Sequence, residues 1–277
     1  MKIVLAIGTG GADIVRDLNY PNILISYAYS QEIDKWPYQP DYFILDSGAF
    51  TAWSLGKQVD VRALGAFAQR RSELWPSTIT VNLDVIPGEK GRTSTRTERL
   101  DGMRKSVANA DYLRSLGLRV MEVFHQDEPM SFLYELADRR QPGEVLGISP
   151  RNDVTPNQKL EWQNNVFAAL VRHCGHDAFP PCHGLAVTTD RLMRAFPYYS
   201  VDSSTWVNAF RYGAALMTGK GHAKLNKMFT GSDKIQLNGR DHKAALAYGC
   251  RQHIVAYQRV EKEITGLWER RGVKFAP

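Results

Sequence analysis

DYFILDSGAF, residues 41–50, runs an unbroken apolar stretch into an aspartate, a serine and a glycine. A short apolar run without alternation is what a parallel strand needs when helices cover both of its faces, and the polar residue closing it marks where the strand leaves the core. The pattern recurs in TVNLDVIPG (80–88), EVFHQDEP (122–129) and YYSVDSSTW (198–206). Working outward, β-branched and aromatic runs closed by turn residues predict strands over Ile3–Ile7, Ile23–Tyr29, Tyr42–Asp46, Thr78–Asp84, Arg119–His125, Glu144–Ser149, His183–Val187 and Tyr198–Ser203. Segments of helical period lie between them: Val61, Leu64, Phe67 and Leu74; Leu100 to Leu116; Leu160 to Val171; and Leu192, Met193 and Phe196, with Thr188 and Thr189 as candidate N-caps. Eight strands alternating with helices over 277 residues predict an α/β chain of the (β/α)8 TIM-like barrel type. An open doubly wound sheet would carry a glycine-rich nucleotide turn after its first strand. GTGG (8–11) lacks the third glycine of that turn and reads as a tight connection.

No internal repeat and no Gly-, Ser- or Pro-rich linker divides the chain, so a single domain over 1–277 is expected. A packing helix at about 241–271 carries the stripe Ile254, Val255, Tyr257, Val260, Ile264, Leu267 and Trp268. A content of 43% hydrophobic and 23% charged residues excludes disordered and collagen-like chains. The net charge of +6 favours a polyanionic partner without requiring one. Three cysteines, Cys174, Cys182 and Cys250, show no paired spacing, which predicts free thiols and a cytoplasmic location. Neither a secretory h-region nor a membrane-spanning run is visible.

In a barrel of this kind the chemistry sits where the strands end. The polar residues closing the apolar runs are Asp46, Asp84, the His125–Gln126 pair and Asp202. A strand-terminal aspartate often only caps the following turn, and DSG and DSS suit that role. Three carboxylates converging on one mouth exceed what capping requires. Buried without cationic partners they would have raised pKa values and a several-kcal/mol cost, which is the signature of a functional cluster.

These residues resemble a family. DSGAFTAWSLGK (46–57) is similar to the DSGGFQ-type signature of the tRNA-guanine transglycosylases; GTGG, ILISYAYS (23–30), the HQ pair, LGIS (146–149) and GLAVTTDRLMRAFPYYSVDSSTW (184–206) follow in the family's order over residues 3 to 210. The family's zinc cluster, CxCxxC with a distant histidine, has no counterpart after Asp202, and DSGAF stands for DSGGF. Cys174, His176, Cys182 and His183 have the ligand types for zinc but not the family's place or spacing, so no metal or other cofactor is expected. Zinc-lacking relatives of this kind resemble the phage and genomic-island branch that inserts 7-deazaguanine bases into DNA.

What the resemblance implies is a base exchange with retention through a covalent aspartyl-sugar intermediate. Asp202 would be the nucleophile and Asp46 the general acid/base; two or three residues further on stand Ser204 and Thr205, which are not carboxylates. Asp84 would read the guanine N1–H and 2-amino edge, with Gln126 and the backbone of Gly147, Ile148 and Ser149 facing O6 and the 7-substituent. His125 would complete that pocket or serve as a structural histidine, and Ser47, Gly48, Ala49 and Phe50 would shape the loop against a flipped base. Phosphates would meet Arg92, Arg96, Arg211, Lys220, Lys224 and Lys227, above all in the loop GKGHAKLNK (219–227), although each of these could equally be a solvated surface charge. The expected partners are DNA and a free 7-deazaguanine base such as a 7-cyano or 7-aminomethyl form. Base exchange on tRNA, a catalytically silent nucleic-acid-binding barrel and a carboxylate-pair hydrolase are the alternatives.

Overall fold

The structure is a computed structural model describing residues 1–8, 11–88, 94–207, 214–217, 221–224 and 242–275. The strands are β1 (Lys2–Ile7), β2 (Asn22–Ser26), β3 (Tyr42–Asp46), β4 (Thr78–Val81), β5 (Val120–Met121), β6 (Val123–His125), β7 (Leu146–Ser149), β8 (Cys182–Gly184) and β9 (Ser200–Ser203). They pair in parallel in the order β5-β4-β3-β2-β1-β9-β8-β7-β6. β5 and β6 are two halves of one strand interrupted at Glu122. β4 pairs with the first half and β7 with the second, so the ring closes. The Gly147 N–H donates to the Glu122 carbonyl at 2.8 Å and bridges the break. The molecule is a (β/α)8 barrel.

Helices α1 (Ala12–Asp17), α2 (Ser30–Asp34), α3 (Ala49–Ser54), α4 (Val61–Leu74), α5 (Arg96–Ser115), α6 (Met130–Arg139), α7 (Pro156–Cys174) and α8 (Asp190–Ala195) form the crossovers. The two longest of these open on capping boxes, Thr95 with Glu98 and Thr155 with Gln158, which satisfy N–H groups that the first helical turn leaves unpaired. At α8 the N-cap is Thr189, but neither threonine caps with its side chain: the Thr188 hydroxyl instead accepts from Tyr257 at 3.4 Å. An antiparallel hairpin, β10 (Ala214–Met217) and β11 (Gly221–Lys224), follows the barrel, so Lys224 closes a strand rather than lying in a loop. The final helix, α9 (His242–Arg270), buries Ile254, Tyr257, Val260, Ile264 and Trp268 against the barrel wall.

Alternation along the strands sorts the core into two layers. Val4, Tyr42, Ile44, Ile79, Val81, Met121, Val123, Val145 and Tyr199 fill the lumen. Their strand neighbours, such as Leu5, Phe43, Phe124 and Ile148, pack outward against the helices. Each fully buried aliphatic side chain contributes roughly 1.5–3 kcal/mol, so both layers together make the frame on which the mouth is mounted. Gly147 belongs to the lumen for a packing reason: a Cβ there would stand 2.8 Å from Val123 Cγ2 and 3.1 Å from Leu185 Cδ1. Below Glu122, Arg114 donates to Glu122 at 2.7 Å and to Glu144 at 2.8 Å, pairing two carboxylates that are almost wholly buried.

Candidate functional site

Strand register places the polar residues at the C-terminal rim: Ser26 lies beside Asp46, His125 beside Ser149, and Asp202 beside Val4 of the lumen layer. Asp46 both caps and is perturbed. Its Oδ2 accepts the Gly48 N–H at 3.2 Å, a contact made possible by the left-handed Gly48 (φ 75°) at the start of α3. Burial pushes the Asp46 carboxyl above the usual aspartate range; the Ser26 hydroxyl and Gly48 N–H oppose this, and the charges of Asp202 and Asp84 add to it.

Asp84 caps nothing. Its Oδ1 accepts from Asn82 Nδ2 at 3.0 Å and its Oδ2 lies 3.1 Å from His125 Nε2. Desolvation pulls the His125 pKa down, but the hydrogen bond and charge of Asp84, with Glu128 and Asp127 behind it, outweigh that and leave it raised. Glu128 escaped the sequence reading. Its Oε2 accepts the His125 N–H at 2.7 Å, and burial lifts its carboxyl to about 7 against the pull of the His125 charge. The signal was present in HQDEP, but four consecutive polar residues do not say which one turns inward.

Gln126 is oriented by the chain itself. Its Oε1 accepts the Arg151 N–H at 2.9 Å, leaving the Nε2 donors as the end available to a ligand. A cavity of about 850 Å³ opens here, lined by Asp84, His125, Gln126, Glu128, Arg96 and Arg99, among others. A second, of about 660 Å³, lies on the other side of Asp84 and reaches Trp53, Lys57 and Lys105. Asp84 is common to both, whereas Asp46 and Asp202 line neither.

Three predicted backbone contacts read differently in the structure. The Ile148 side chain is buried in the outer layer, and its carbonyl is engaged by the Leu185 N–H at 3.0 Å. The Gly147 N–H is engaged by Glu122, and the Ser149 carbonyl accepts the Gln126 N–H at 3.2 Å. These three groups take part in sheet hydrogen bonding, and Ser149 stands in register with His125 at the rim. Ser47 is buried, while Phe50 is 71% exposed and leans on Trp53 at 6.1 Å between centroids. An aromatic so exposed fills no core. Arg96, the first residue of α5, is exposed at the larger cavity; Arg92, Arg211, Lys220 and Lys227 lie outside the described residues.

Asp202 is held at one oxygen by two partners. Its Oδ1 lies 3.2 Å from His183 Nε2 and accepts the Ala186 N–H at 3.0 Å. Behind it, His183 Nδ1 meets Ser200 Oγ at 2.8 Å, and Ser200 meets the Tyr42 hydroxyl at 3.1 Å. The turn-capping in DSS falls to Ser203, whose Oγ accepts the Thr205 N–H at 2.9 Å. Cys182 and His183, both of ligand type for zinc, face opposite sides of β8, His183 the lumen and Cys182 the outer layer. Among the described residues no three His, Cys, Asp or Glu side chains converge as metal ligands do. In the GTGG turn, a Cβ on Gly11 would stand 2.6 Å from the Trp206 ring, so this glycine makes room for the tryptophan that follows DSS.

No family model matches the chain, and no curated protein does. Among solved structures it is similar to a xylose isomerase domain protein from Planctomyces limnophilus, at 11% identity and a TM-score of 0.42, over 74% of this chain and 90% of that one. At that identity and TM-score the likeness says nothing of this chain's chemistry.

Proposed function

We propose that the protein is a DNA-guanine transglycosylase, exchanging guanine in DNA for a 7-deazaguanine base. The observation that carries this reading is the set of strand-end carboxylates, in which burial raises the Asp46 carboxyl above its ordinary range and the Asp202 and Asp84 charges add to that shift. The family resemblance of the motifs that end there supports it. Asp202 attacks C1′ of the target nucleotide, the C1′–N9 bond breaks, and guanine leaves with a proton from Asp46. The incoming 7-deazaguanine gives its N9 proton to Asp46 and displaces Asp202. Two inversions at one carbon give net retention.

Asp84 and the Gln126 amide suit the two sides of a guanine edge, a carboxylate toward the N1–H and 2-amino donors and N–H groups toward O6. The exposed Phe50 offers a face for the flipped base to stack on, and Arg96 a charge for its phosphates. The test is incorporation of labelled guanine or a 7-cyano- or 7-aminomethyl-deazaguanine, with DNA and tRNA supplied in one reaction. Exchange into DNA is expected, abolished in Asp202→Asn with DNA binding retained. Exchange confined to tRNA would move the activity to that polymer, free base without replacement would indicate a hydrolase, and binding without exchange a silent barrel. An active Asp202→Asn protein would remove the nucleophile assignment.

A further inference from the structure

The proposed chemistry uses Asp202 but leaves unexplained why a wholly buried histidine and a strained alanine both address one of its oxygens. His183 has no exposed side-chain surface and lies in the lumen with Nε2 toward Asp202 Oδ1. Ala186 has φ 55°, a left-handed conformation costing an L-residue about 1–2 kcal/mol, and it turns its N–H onto the same oxygen. No described residue hydrogen-bonds Oδ2. Both donors thus fix the carboxylate by one oxygen and leave the other to react.

The proton positions follow from what each atom can do. An ionised carboxylate only accepts, so His183 Nε2 carries a hydrogen. In the neutral ring Nδ1 is then an acceptor, so Ser200 donates to it and Tyr42 donates to Ser200. Every member of the thread has a partner of the right kind, and all the donors point toward Asp202.

We propose that His183 is a positioning residue that selects Oδ2 as the attacking oxygen and, with the Ala186 N–H, makes Asp202 a good leaving group in the second displacement. This rests on the base-exchange reading. In the first step Oδ2 bonds to C1′ and Oδ1 becomes the carbonyl oxygen of a neutral ester, a weaker acceptor. In the second, the incoming N9 bonds to C1′, the C1′–Oδ2 bond breaks, and its electron pair returns to a carboxylate whose charge is shared with Oδ1. Donors at Oδ1 favour the charged form over the ester, so they lower the barrier to release while holding back attack, and the ester does not build up. Enzyme carrying this thread does not accumulate as a covalent adduct; enzyme without it does.

The experiment compares His183→Phe, His183→Gln and Ser200→Ala with the wild type in guanine exchange on DNA, reading turnover and the SDS-stable protein–DNA adduct together. His183→Phe is expected to slow exchange while raising the adduct fraction per turnover about tenfold or more, the worth of a hydrogen bond to a charged group. His183→Gln, which can still offer an amide N–H to Oδ1, is expected to restore the wild-type partition, and Ser200→Ala to shift it in the same direction as Phe but less. A merely structural role would lower turnover and adduct in parallel, and that result overturns the proposal. Nitrogen-15 chemical shifts of the His183 ring in the intact wild-type protein give a second readout: a protonated Nε2 is expected, and an unprotonated Nε2 overturns the assignment even if the variants fail to fold. A wild type that exchanges no base overturns the base-exchange reading and this role with it, whereas exchange with an unchanged partition in His183→Phe overturns this role alone.

Discussion

His125 Nε2 and Asp84 Oδ2 meet at 3.1 Å between the ends of neighbouring strands, so the carboxylate assigned to the guanine edge is already oriented before any base arrives. A ligand's N–H donors then meet a carboxylate whose rotamer is fixed, with little ordering left to do. Asp84→Asn is expected to raise KM for guanine by one to two orders of magnitude, roughly the loss of a charged hydrogen bond, while kcat changes less. Steady-state kinetics with varied free base check this; an unchanged KM would remove Asp84 from base recognition.

Asp46 gives a prediction with a definite sign. Its folded-state pKa is raised, first by burial, so its contribution to stability is fully present below the ordinary aspartate range and is lost as pH rises through the raised value. Asp46→Asn should therefore melt higher than the wild type at neutral pH, with the gap closing in acid. The same variant should lose about 10²–10⁴-fold in exchange, the usual worth of a general acid/base. Thermal melts across pH, paired with the exchange assay, test both halves.

Glu128 titrates in a different window. Burial raises it from 4.5 to about 7, so the stability it contributes is complete below pH 4.5 and disappears as pH climbs through 7. Wild-type Tm is expected to fall over that interval, and Glu128→Gln, which keeps an oxygen for the His125 N–H, to flatten the profile there. A Glu128→Gln profile parallel to the wild type would contradict it.

At the opposite end of the barrel, Arg114→Met would leave Glu144 buried without its cation and Glu122 with only Arg139, at 3.4 Å. Removing one partner from a buried network of this kind costs about 3–5 kcal/mol. Urea unfolding should register that loss, and a variant within 1 kcal/mol of wild type, about the worth of a surface ion pair, would show that the network is dispensable.

Gly147→Ala tests the packing account of LGIS. The added Cβ meets Val123 and Leu185 inside the lumen, where overpacking costs typically 1–3 kcal/mol. Destabilisation with kcat/KM of the folded fraction preserved is the expected pair of results.

The strands were legible because each is an apolar run with a polar end, and the rim residues were legible as those ends. Boundaries were less so. The fourth strand was expected to reach Asp84 but stops at Val81, because the Asn82 side chain turns to the Ser106 carbonyl and the Asp84 N–H closes back on the Asn82 carbonyl. Helices α1, α2 and α3 have only five or six residues each, too few for a 3.6-residue period to show. α6 was missed although Phe132, Leu133 and Leu136 line one face. His183 shows the deeper limit. Its partners Ser200 and Asp202 are set by the register of β8 on β9, and one chain read by itself contains the residues of that pairing but not their alignment.

Barrels of this architecture ordinarily divide their labour, with residues of the N-terminal floor holding the fold and those of the C-terminal rim doing the work. Tyr42 opens β3 deep in the lumen, yet its hydroxyl is the far end of the thread through Ser200 and His183 to Asp202. Under the proposed base exchange, that division of labour is breached in this molecule. Random mutagenesis aimed at the rim alone would overlook positions joined to the proposed nucleophile, and a thermostabilising redesign of the floor that treats Tyr42 as filler would break the thread that reaches Asp202 from below.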